Sequence, residues 1–410
     1  MKKIRIVSCG AGNRAYGQIL MLARMEEYDL VAVCDLYKDK AETIVNKVTE
    51  LYNQKPLIYT DYIKMFEEVK PDAVLVSTPW DTHIEISCDA MERGIAVAME
   101  VGGAYCEEEC WKLVDTYEKT KTPFFFLENI CYNKEELLAT ALARNGVLGE
   151  IVYCHGAYRH DLRHEVTHGR INRHYRLKNY MEHNRENYPT HEFGPIAKII
   201  GINRGNKMLT LVSRASKARG LSEFIKARPQ LQDLRHIEFS QGDIVETLIK
   251  CENGELVSLK LDTTLPVFYS REFNVRGTKG AALMEFNMVL EDGKFSESFS
   301  NHDGYAKYIN NASEYHDKYL CDLWKGVTPE IEKEGHGGVD YFELKAFAKH
   351  LNNNEEMALD VYDAAAWMCI SYLSEESIKT GKEMQVPDFT RGKYKNRPIL
   401  DVTELPIYDK

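Results

Sequence analysis

The N-terminal third of the chain alternates short, wholly apolar runs with longer segments in which apolar residues recur at helical spacing. Runs of the first kind indicate buried strands, and segments of the second kind indicate helices. We predict strands over 3–8, 30–34, 73–77, 95–99 and 123–127. We predict helices over 15–25, 41–52, 82–93 and 107–119. Because parallel strands buried on both faces are apolar throughout, residues 1–148 are predicted to form a doubly wound α/β domain.

The pattern changes after a helix predicted over 134–144. Strands now follow in groups, and a polar, histidine-rich stretch over 158–188 is interpreted as a loop. The predicted strands are 149–157, 208–213, 244–251, 256–261 and a hairpin over 273–286. The further predicted helices are 191–200, 339–351 and 361–380. Grouped strands flanked by helices predict an α+β domain over 149–410 with a mostly antiparallel open sheet. Its C-terminal helix and tail are candidates to pack back on the first domain.

Composition narrows the classes of function. The chain has 410 residues, 44% of them apolar, which is enough for two domains with buried cores. Its net charge of −11 disfavours nucleic acid and anionic membranes as partners, because both select for an excess of Lys and Arg. No apolar run is long enough to span a membrane, and no export signal is seen, so we expect a cytoplasmic protein. Most of the 10 Cys lie in apolar patterns, which predicts buried, reduced thiols.

A glycine-rich turn follows the first predicted strand. Gly10, Gly12 and Ala15 fit the pattern G-x-G-x-x-A, in which the glycines allow a tight turn and a close approach of the backbone to a pyrophosphate. The N-terminus of the next helix offers free N–H groups to the phosphates. Asp35 ends the second strand, 23 positions after Gly12, where a carboxylate binds the ribose hydroxyls and repels a 2′-phosphate. The motif predicts a Rossmann domain that binds NAD rather than NADP.

Polar residues also follow the next three strands of the first domain. Trp80 and His83 come after the third strand, Glu100 ends the fourth, and Asn129 follows the fifth. Ligands of open α/β sheets bind at the carboxyl ends of the strands. These residues are therefore predicted to line the nicotinamide side of the site.

A competing motif lies in the histidine-rich stretch. The run from His164 to His168 fits H-E-x-x-H, the zinc-protease signature, and His160 precedes it at the same spacing. A zinc site needs this motif on a stable helix with a third ligand. Because Arg, His and Gly169 crowd the flanks, we interpret the stretch as a polar loop over a substrate pocket and predict no metal.

Six blocks in chain order resemble the NAD-dependent α-N-acetylgalactosaminidases, a branch of the glucose–fructose oxidoreductase/inositol dehydrogenase family. The blocks are Met99-Glu100-Val101-Gly102-Gly103-Ala104, Leu127-Glu128-Asn129-Ile130-Cys131-Tyr132, Tyr188-Pro189-Thr190-His191, Ile202-Asn203-Arg204-Gly205-Asn206, Gly335-His336-Gly337-Gly338-Val339-Asp340-Tyr341-Phe342 and Pro387-Asp388-Phe389. Ordinary members of the wider family carry Glu-Lys-Pro where this chain has Glu100-Val101-Gly102. They also carry an Asp and a His where this chain has His191 and Pro195. The resemblance thus favours the glycosidase branch over a plain sugar or inositol dehydrogenase.

The resemblance implies two sets of site residues. Those implied to bind NAD, together with the glycine turn, are Gly10, Gly12, Asn13, Arg14, Asp35, Trp80, His83, Glu100, Val101, Asn129 and Tyr188. Those implied to contact a glycoside are Tyr158, Arg176, Tyr188, Pro189, Thr190, His191 and Tyr269. A homo-oligomer formed through the sheet of the second domain is also implied.

Such enzymes are described as hydrolysing without net redox change, by transient C3 oxidation, C2 deprotonation, elimination, water addition and re-reduction. This chemistry needs a base for the C3 hydroxyl, assigned to His191 because His titrates near neutrality. The base for the C2 proton is assigned to Tyr188, with Tyr269 and Tyr158 as alternatives, and Arg176 is assigned to stabilise the enolate oxygen.

The chain departs from this branch beside His191, where Glu192 replaces the usual Gly, and in a shorter, basic stretch over 161–175. Two other functions stay open on the sequence alone. One is a net NAD-dependent sugar C3 dehydrogenase, and the other is a non-catalytic, NAD-bound sugar sensor.

Overall fold

The computed structural model describes residues 3–294 and 304–408. Within these ranges, the chain divides into two compact units. The first comprises Met1–Asn129 and Val327–Ala366, and the second comprises Ile130–Gly326 and Trp367–Lys410. The domain boundary predicted at 148/149 stays a prediction.

The first unit is built on a parallel sheet, which was predicted. Its strands, within the described residues, are β1 (Ile4–Cys9), β2 (Tyr28–Cys34), β3 (Leu57–Tyr59), β4 (Ala73–Val76), β5 (Ala96–Glu100) and β6 (Phe124–Leu127). They lie in the order β3-β2-β1-β4-β5-β6, and every pair is parallel. This is the doubly wound order, in which the chain reverses direction between β1 and β4 and leaves a crevice at the carboxyl ends of those strands.

Helices connect these strands, and the prediction missed one of them. They are α1 (Asn13–Arg24), α2 (Lys38–Tyr52), α3 (Tyr62–Val69), α4 (Trp80–Glu92) and α5 (Glu107–Thr120). The missed helix is α3, together with the short edge strand β3 before it. Asp61 caps α3 by accepting a hydrogen bond from the amide of Lys64 at 3.1 Å. Three partly exposed residues in β3 give too short a periodic signal to identify a strand.

A later part of the chain returns to the first unit as α13 (Pro329–Glu332) and α14 (Val339–Asn353). The ring of Phe347 lies 5.7 Å from that of Phe125 in β6. The hydroxyl of Tyr28 donates to the carbonyl of Leu344, and the amide of Phe126 donates to the carbonyl of Leu359 at 3.0 Å. These contacts explain why residues far apart in sequence share one core.

The second unit carries a mostly antiparallel sheet, also as predicted. Its strands in the described part of the chain are β7 (Ile151–Arg159), β8 (Met208–Ala215), β9 (Ile244–Cys251), β10 (Leu256–Asp262), β11 (Asn274–Gly277), β12 (Gly280–Leu283), β13 (Met288–Glu291) and β14 (Met384–Gln385). They lie in the order β13-β12-β11-β7-β10-β9-β8-β14, with β7 and β10 parallel and the other pairs antiparallel. The fold class is therefore confirmed. The predicted homo-oligomer stays a prediction.

The helices of the second unit correct one interpretation. They are α6 (Lys134–Arg144), α7 (Arg163–Asn172), α8 (Arg176–Glu182), α9 (Pro189–Ile200), α10 (Gly220–Lys226), α11 (His316–Tyr319) and α12 (Asp322–Lys325). A further helix, α15 (Val361–Thr380), begins in the first unit and belongs to the second from Trp367 onward. The loop predicted over 158–188 is wrong, because α7 and α8 lie within it. Leu162 and Val166, four residues apart, are buried with Tyr180 against Leu221 and Leu261. This spacing anchors a helix inside a polar stretch.

The cysteines are free thiols throughout the described chain, and apart from Cys106 they are buried. This agrees with the predicted reduced thiols. Among the described residues, the structure shows no helix that is long and apolar enough to cross a membrane.

Candidate active site

The glycine-rich turn lies at the carboxyl end of β1 in the first unit. Gly10 adopts a φ of 101°, and a Cβ at this position would lie 2.2 Å from the carbonyl oxygen of Ser77. Only glycine fits this close approach of two backbones. Gly12 precedes α1, and a Cβ there would meet nothing within 4 Å. The space above the start of α1, where Asn13 is exposed, is therefore open to a phosphate group.

Asp35 follows β2 and faces the same turn. Its Oδ2 accepts a hydrogen bond from the amide of Ala11 at 2.8 Å, and its Oδ1 accepts one from the amide of Tyr37 at 2.8 Å. A carboxylate can accept about four hydrogen bonds, so both oxygens keep capacity for ribose hydroxyls. The structure thus brings Asp35 and the glycine turn together, as predicted.

Trp80 and His83 lie in the first turn of α4, after β4. A Cβ on Gly102 would lie 2.8 Å from Cδ1 of Trp80 and 3.3 Å from Nδ1 of His83. The Nε2 of His83 lies 2.7 Å from the carbonyl oxygen of Thr78, and burial lowers the pKa of His83 to about 4. This histidine is therefore neutral at pH 7. The tight contact explains why glycine follows Glu100-Val101 in this chain.

A charged cluster, defined here as Arg14, Glu100, His336, Asp340 and Glu343, lies in the first unit. The guanidinium of Arg14 lies 2.7 Å from Glu100, 2.5 Å from Asp340 and 3.5 Å from Glu343. Nδ1 of His336 lies 2.8 Å from Oδ2 of Asp340. The three carboxylates have side chains no more than 6% exposed. Arg14 thus supplies positive charge that offsets the cost of burying these carboxylates.

The other predicted NAD residues of this unit border the charged cluster. The amide of Val101 donates to Oε2 of Glu100 at 3.1 Å. Nδ2 of Asn129 donates to Oδ1 of Asp340 at 2.7 Å, and Asn129 is 1% exposed. Nδ1 of His83 and Oε2 of Glu343 are buried and lack a hydrogen-bond partner within the described chain. These open polar atoms, with the free space at Gly12 and the carboxylate of Asp35, fit a dinucleotide.

Four residues of the second predicted set meet His160 in the second unit, and the aromatic cluster is defined here as Tyr158, His160, Tyr188, His191 and Tyr269. The rings of Tyr158 and Tyr188 stack at 4.4 Å with an angle of 16°. The ring of His191 lies edge-on to Tyr188 at 4.8 Å and to Tyr158 at 5.8 Å. Tyr269, which is 46% exposed, lies edge-on to Tyr158 at 6.2 Å and to His160 at 5.2 Å.

Arg176 supplies positive charge to this aromatic cluster from the start of α8. Its guanidinium carbon lies 5.6 Å from the ring centre of Tyr188, and its Nη1 donates to Glu165 at 2.5 Å. Burial raises the pKa of Tyr158 well above its usual value, although Arg176 acts in the opposite direction. Burial therefore favours the neutral form of Tyr158.

The segment Tyr188–His191 enters α9 from its N-terminal end. Tyr188 precedes the helix, Pro189 is its first residue, and Thr190 and His191 follow, both buried. Proline suits the first helical position because its missing N–H is not needed there. The hydroxyl of Thr190 lacks a hydrogen-bond partner within residues 3–294 and 304–408. It offers a donor and an acceptor to a ligand.

The H-E-x-x-H motif lies on a helix, which corrects the interpretation of this stretch as a loop. His164 and His168 lie on α7 with their rings 5.8 Å apart. Glu165 between them lies 2.5 Å from Nη1 of Arg176 and 3.7 Å from Nε2 of His174. A search of the described residues shows no group of three His, Cys, Asp or Glu side chains that could hold a metal ion.

Two family profiles match the chain. The family described as "Oxidoreductase family, NAD-binding Rossmann fold" matches residues 4–126, and "Glycosyl hydrolase 109, C-terminal domain" matches residues 132–396. The chain belongs to glycosyl hydrolase family 109. The predicted resemblance is thereby confirmed.

Curated relatives support the family 109 assignment over the whole chain. A glycosyl hydrolase family 109 protein of Stenotrophomonas maltophilia is 32% identical, covering 97% of this chain and 92% of that protein. An α-N-acetylgalactosaminidase of Tannerella forsythia is also 32% identical, covering 96% and 88%. An α-N-acetylgalactosaminidase of Shewanella oneidensis is 31% identical, covering 98% and 88%.

Solved structures show the same fold as this family 109 chain. The myo-inositol 2-dehydrogenase of Lactobacillus plantarum aligns with a TM-score of 0.65 at 17% identity, covering 94% of this chain and 100% of that chain. The scyllo-inositol dehydrogenase of Lactobacillus casei, with bound cofactor NAD(H) and scyllo-inositol, aligns with a TM-score of 0.64 at 14% identity, covering 94% and 99%.

Sequence reasoning missed part of the site of this family 109 enzyme. His336, Asp340 and Glu343 had no assigned role, although the block 335–342 was recognised. The signal was the run of glycines at 335, 337 and 338, of which the last two have φ of 73° and 96°. Left-handed glycines before a helix place Asp340 in the first turn of α14, where it reaches Arg14.

Replacing Asp35 with alanine is expected to weaken NAD⁺ binding to this family 109 enzyme by about 10- to 100-fold. The reason is that hydrogen bonds to a charged group contribute about 1.5–3 kcal/mol. NADP⁺ binding should weaken less, because the carboxylate that repels the 2′-phosphate is gone. Titration calorimetry with both cofactors measures the two changes.

Asp29→Ala, on the exposed amino end of β2, serves as the control for this titration and should bind both cofactors as the wild type does. An unchanged ratio of NAD⁺ to NADP⁺ affinity in Asp35→Ala would contradict the ribose contact.

Proposed function

We propose that this family 109 enzyme is an NAD-dependent glycosidase acting on an α-linked N-acetylgalactosaminide. The observation that carries the proposal is the meeting of His191, Tyr188 and Arg176 in one cluster, each with the chemistry that the reaction requires. The substrate class is supported by relatives from Tannerella forsythia and Shewanella oneidensis that are named α-N-acetylgalactosaminidase.

Residues of the first unit would hold the cofactor. The turn at Gly10 and Gly12 and the N-terminus of α1 suit the pyrophosphate, and Asp35 suits the adenosine ribose. Trp80, His83 and Glu100 lie at or just after the carboxyl ends of β4 and β5, where the rest of the dinucleotide would bind. NAD, when bound, supplies reversible hydride transfer, which allows sugar C3 to be a ketone during part of the cycle.

His191 is proposed to accept the proton of the C3 hydroxyl and to return it at the end of the cycle. A neutral imidazole suits this role because its ordinary pKa lies near neutrality. Its edge-on packing against Tyr188 and Tyr158 fixes the plane of the ring, which a positioned base requires.

Tyr188 is proposed to take the C2 proton, which a C3 ketone makes acidic. A tyrosine needs a cationic neighbour to act as a base, and Arg176 lies over its ring. Arg176 also brings positive charge to the oxygen on which negative charge develops when C2 loses its proton. Loss of the C1 substituent and addition of water at C1 then complete hydrolysis, with the proton of C2 returned by the same base.

Of the alternative C2 bases, Tyr158 fits less well because burial raises its pKa and its hydroxyl is engaged with Nδ1 of His160 at 3.0 Å. Tyr269 is more exposed than Tyr158, and its ring centre lies 5.8 Å from the guanidinium carbon of Arg271. Comparison of Tyr188→Phe with Tyr269→Phe separates the two assignments. Only the variant that lacks the true base should lose turnover by the factor of about 10²–10⁴ that is typical of an acid–base group.

A panel of nitrophenyl glycosides tests the proposal on the purified protein, with nitrophenol release and NADH absorbance followed together. The expected result is release from the α-N-acetylgalactosaminide without added NAD⁺ and without net NADH. NADH growth without nitrophenol release would replace the proposal with a net sugar C3 dehydrogenase. Sugar binding without nitrophenol release or NADH growth would replace the proposal with a non-catalytic sugar sensor.

A further inference from the structure

Two buried glutamates flank the segment that carries both candidate bases. Glu186 lies two residues before Tyr188, and Glu192 lies directly after His191. Both glutamates are 0% exposed. Their carboxyl groups lie within hydrogen-bonding reach of each other, and we call them the acid pair. None of the chemistry assigned to the site uses them.

The acid pair joins the chain before α9 to the first turn of that helix. Oε1 of Glu186 accepts a hydrogen bond from the amide of Tyr188 at 3.3 Å. The amide of Glu186 donates to Oγ of Ser374 in α15 at 2.8 Å. The backbone carbonyl of Glu192 packs against Gly156 in β7, where a Cβ would lie 2.2 Å from its oxygen. The segment between the two glutamates is therefore closed into a loop held against the sheet.

The remaining carboxyl oxygens lie in the dry interior. Oε2 of Glu186 and both side-chain oxygens of Glu192 lack a hydrogen-bond donor in the part of the chain that the structure describes. Two acceptors that face each other in a dry interior need a proton between them, since two adjacent carboxylates cannot both ionise there. Burial, and next the neighbouring carboxyl, raises the pKa of Glu192 well above its usual value. Burial raises the pKa of Glu186 as well.

Among the described residues, the cations near the acid pair contact other side chains. Glu246 in β9 adds negative potential, and Lys260 in β10 acts on Glu192 through its backbone amide. The ammonium of Lys260 binds Glu272 at 2.5 Å. The guanidinium of Arg185, next in the chain, donates to Asn179 at 2.8 Å and to Asn187 at 3.1 Å.

We propose that a proton shared between Glu186 and Glu192 fixes the Tyr188–His191 segment, so that the acid pair positions both candidate bases. The bond between the two carboxyl groups closes the loop that holds the amide of Tyr188 and the start of α9. Loss of the proton would place two like charges in contact and force the glutamates apart. The positioning is therefore lost as pH rises. The roles of Tyr188 and His191 as bases rest on the proposed function, whereas the shared proton does not.

The stability of the protein against pH gives the first test. A carboxyl whose pKa is raised on folding binds its proton more tightly in the folded chain, so stability is lost as pH rises from the ordinary carboxyl range towards the raised value. Over that range each unit rise in pH raises the unfolding equilibrium constant about tenfold, because the folded chain keeps a proton that the unfolded chain has released. Glu192→Gln, which donates a hydrogen bond at every pH, should remove this dependence.

Urea unfolding of the full chain at a series of pH values measures this slope. Glu182→Gln, on the exposed face of α8, is the matched control and should keep the wild-type slope. An equal slope in the wild type and in Glu192→Gln would overturn the shared proton. This measurement needs neither substrate nor cofactor, so its failure is distinct from failure of the proposed function.

The His191 resonances in histidine-labelled protein test the positioning. In the wild type they should shift cooperatively as the acid pair ionises, and in Glu192→Gln this alkaline transition should disappear while the Glu182→Gln spectrum follows the wild type. With the nitrophenyl α-N-acetylgalactosaminide as probe, the alkaline loss of kcat should coincide with that transition and move to higher pH in Glu192→Gln. If the His191 resonances do not shift as the acid pair ionises, the pair does not position His191, and the proposal is overturned.

Discussion

Turnover of the nitrophenyl α-N-acetylgalactosaminide is expected to fall by about 10²–10⁴-fold in His191→Ala, the range typical for removal of a general base. NAD⁺ affinity, measured by titration calorimetry, should stay at the wild-type value. The physical reason is that His191 lies in the aromatic cluster of the second unit, whereas the glycine turn and Asp35 lie in the first.

His164→Ala is the matched control for this variant. His164 lies on the exposed surface of α7 and stacks only on His168 among the ring contacts of the described residues. The turnover of His164→Ala should equal that of the wild type. Wild-type turnover in His191→Ala would remove this residue from the chemistry, and equal losses in both variants would point to a general effect of the histidine-rich helix.

Replacing Arg14 with alanine is expected to destabilise the protein by about 3 kcal/mol at neutral pH, because removal of one partner leaves buried charges without compensation. Burial opposes ionisation of Asp340, but Arg14 and His336 outweigh burial and hold the pKa of Asp340 far below its usual value. Burial and the neighbouring Asp340 raise the pKa of Glu343. Without Arg14, the pKa of Asp340 would rise as well.

The directions of these carboxyl pKa shifts determine how the stability of each protein changes with pH. In the wild type, a lowered carboxyl pKa contributes stability that is present at neutral pH and is lost as pH falls. In Arg14→Ala the carboxyl pKa values are raised. The loss of stability relative to the wild type should therefore be largest at pH 7 and smaller near pH 5. Urea unfolding at both pH values measures the difference.

Arg24→Ala is the control for this variant, since Arg24 lies on the same helix and pairs with Glu334 at the surface. An exposed pair contributes about 0–1 kcal/mol, so little change is expected. Equal stability of Arg14→Ala and Arg24→Ala would show that the charged cluster does not depend on Arg14.

The first unit was predictable because its signals are local. The glycine turn, α1 and Asp35 lie within 35 residues, and each follows from strand and helix spacing. The link between Arg14 and Asp340 spans 326 positions and has no local signal. It arises only when α14 packs against the core of the first unit.

The second unit shows where pattern reasoning fails. The apolar anchors Leu162 and Val166 are outnumbered by His and Arg, so α7 was interpreted as a loop. The tyrosines of the aromatic cluster were identified by resemblance to a family and not by spacing, because Tyr158 and Tyr269 lie on different parts of the fold. Glu192 was noted as a departure from the family, but its partner Glu186 could be found only from the structure.

The central claim is that hydrolysis proceeds through removal of the C2 proton. Turnover of the nitrophenyl α-N-acetylgalactosaminide in D₂O, followed by mass spectrometry of the released sugar, tests it most directly. The account predicts a product with deuterium bound to C2, because the proton removed at C2 exchanges with solvent before the base returns it. A product with only hydrogen at C2 would contradict the account and indicate direct displacement at C1.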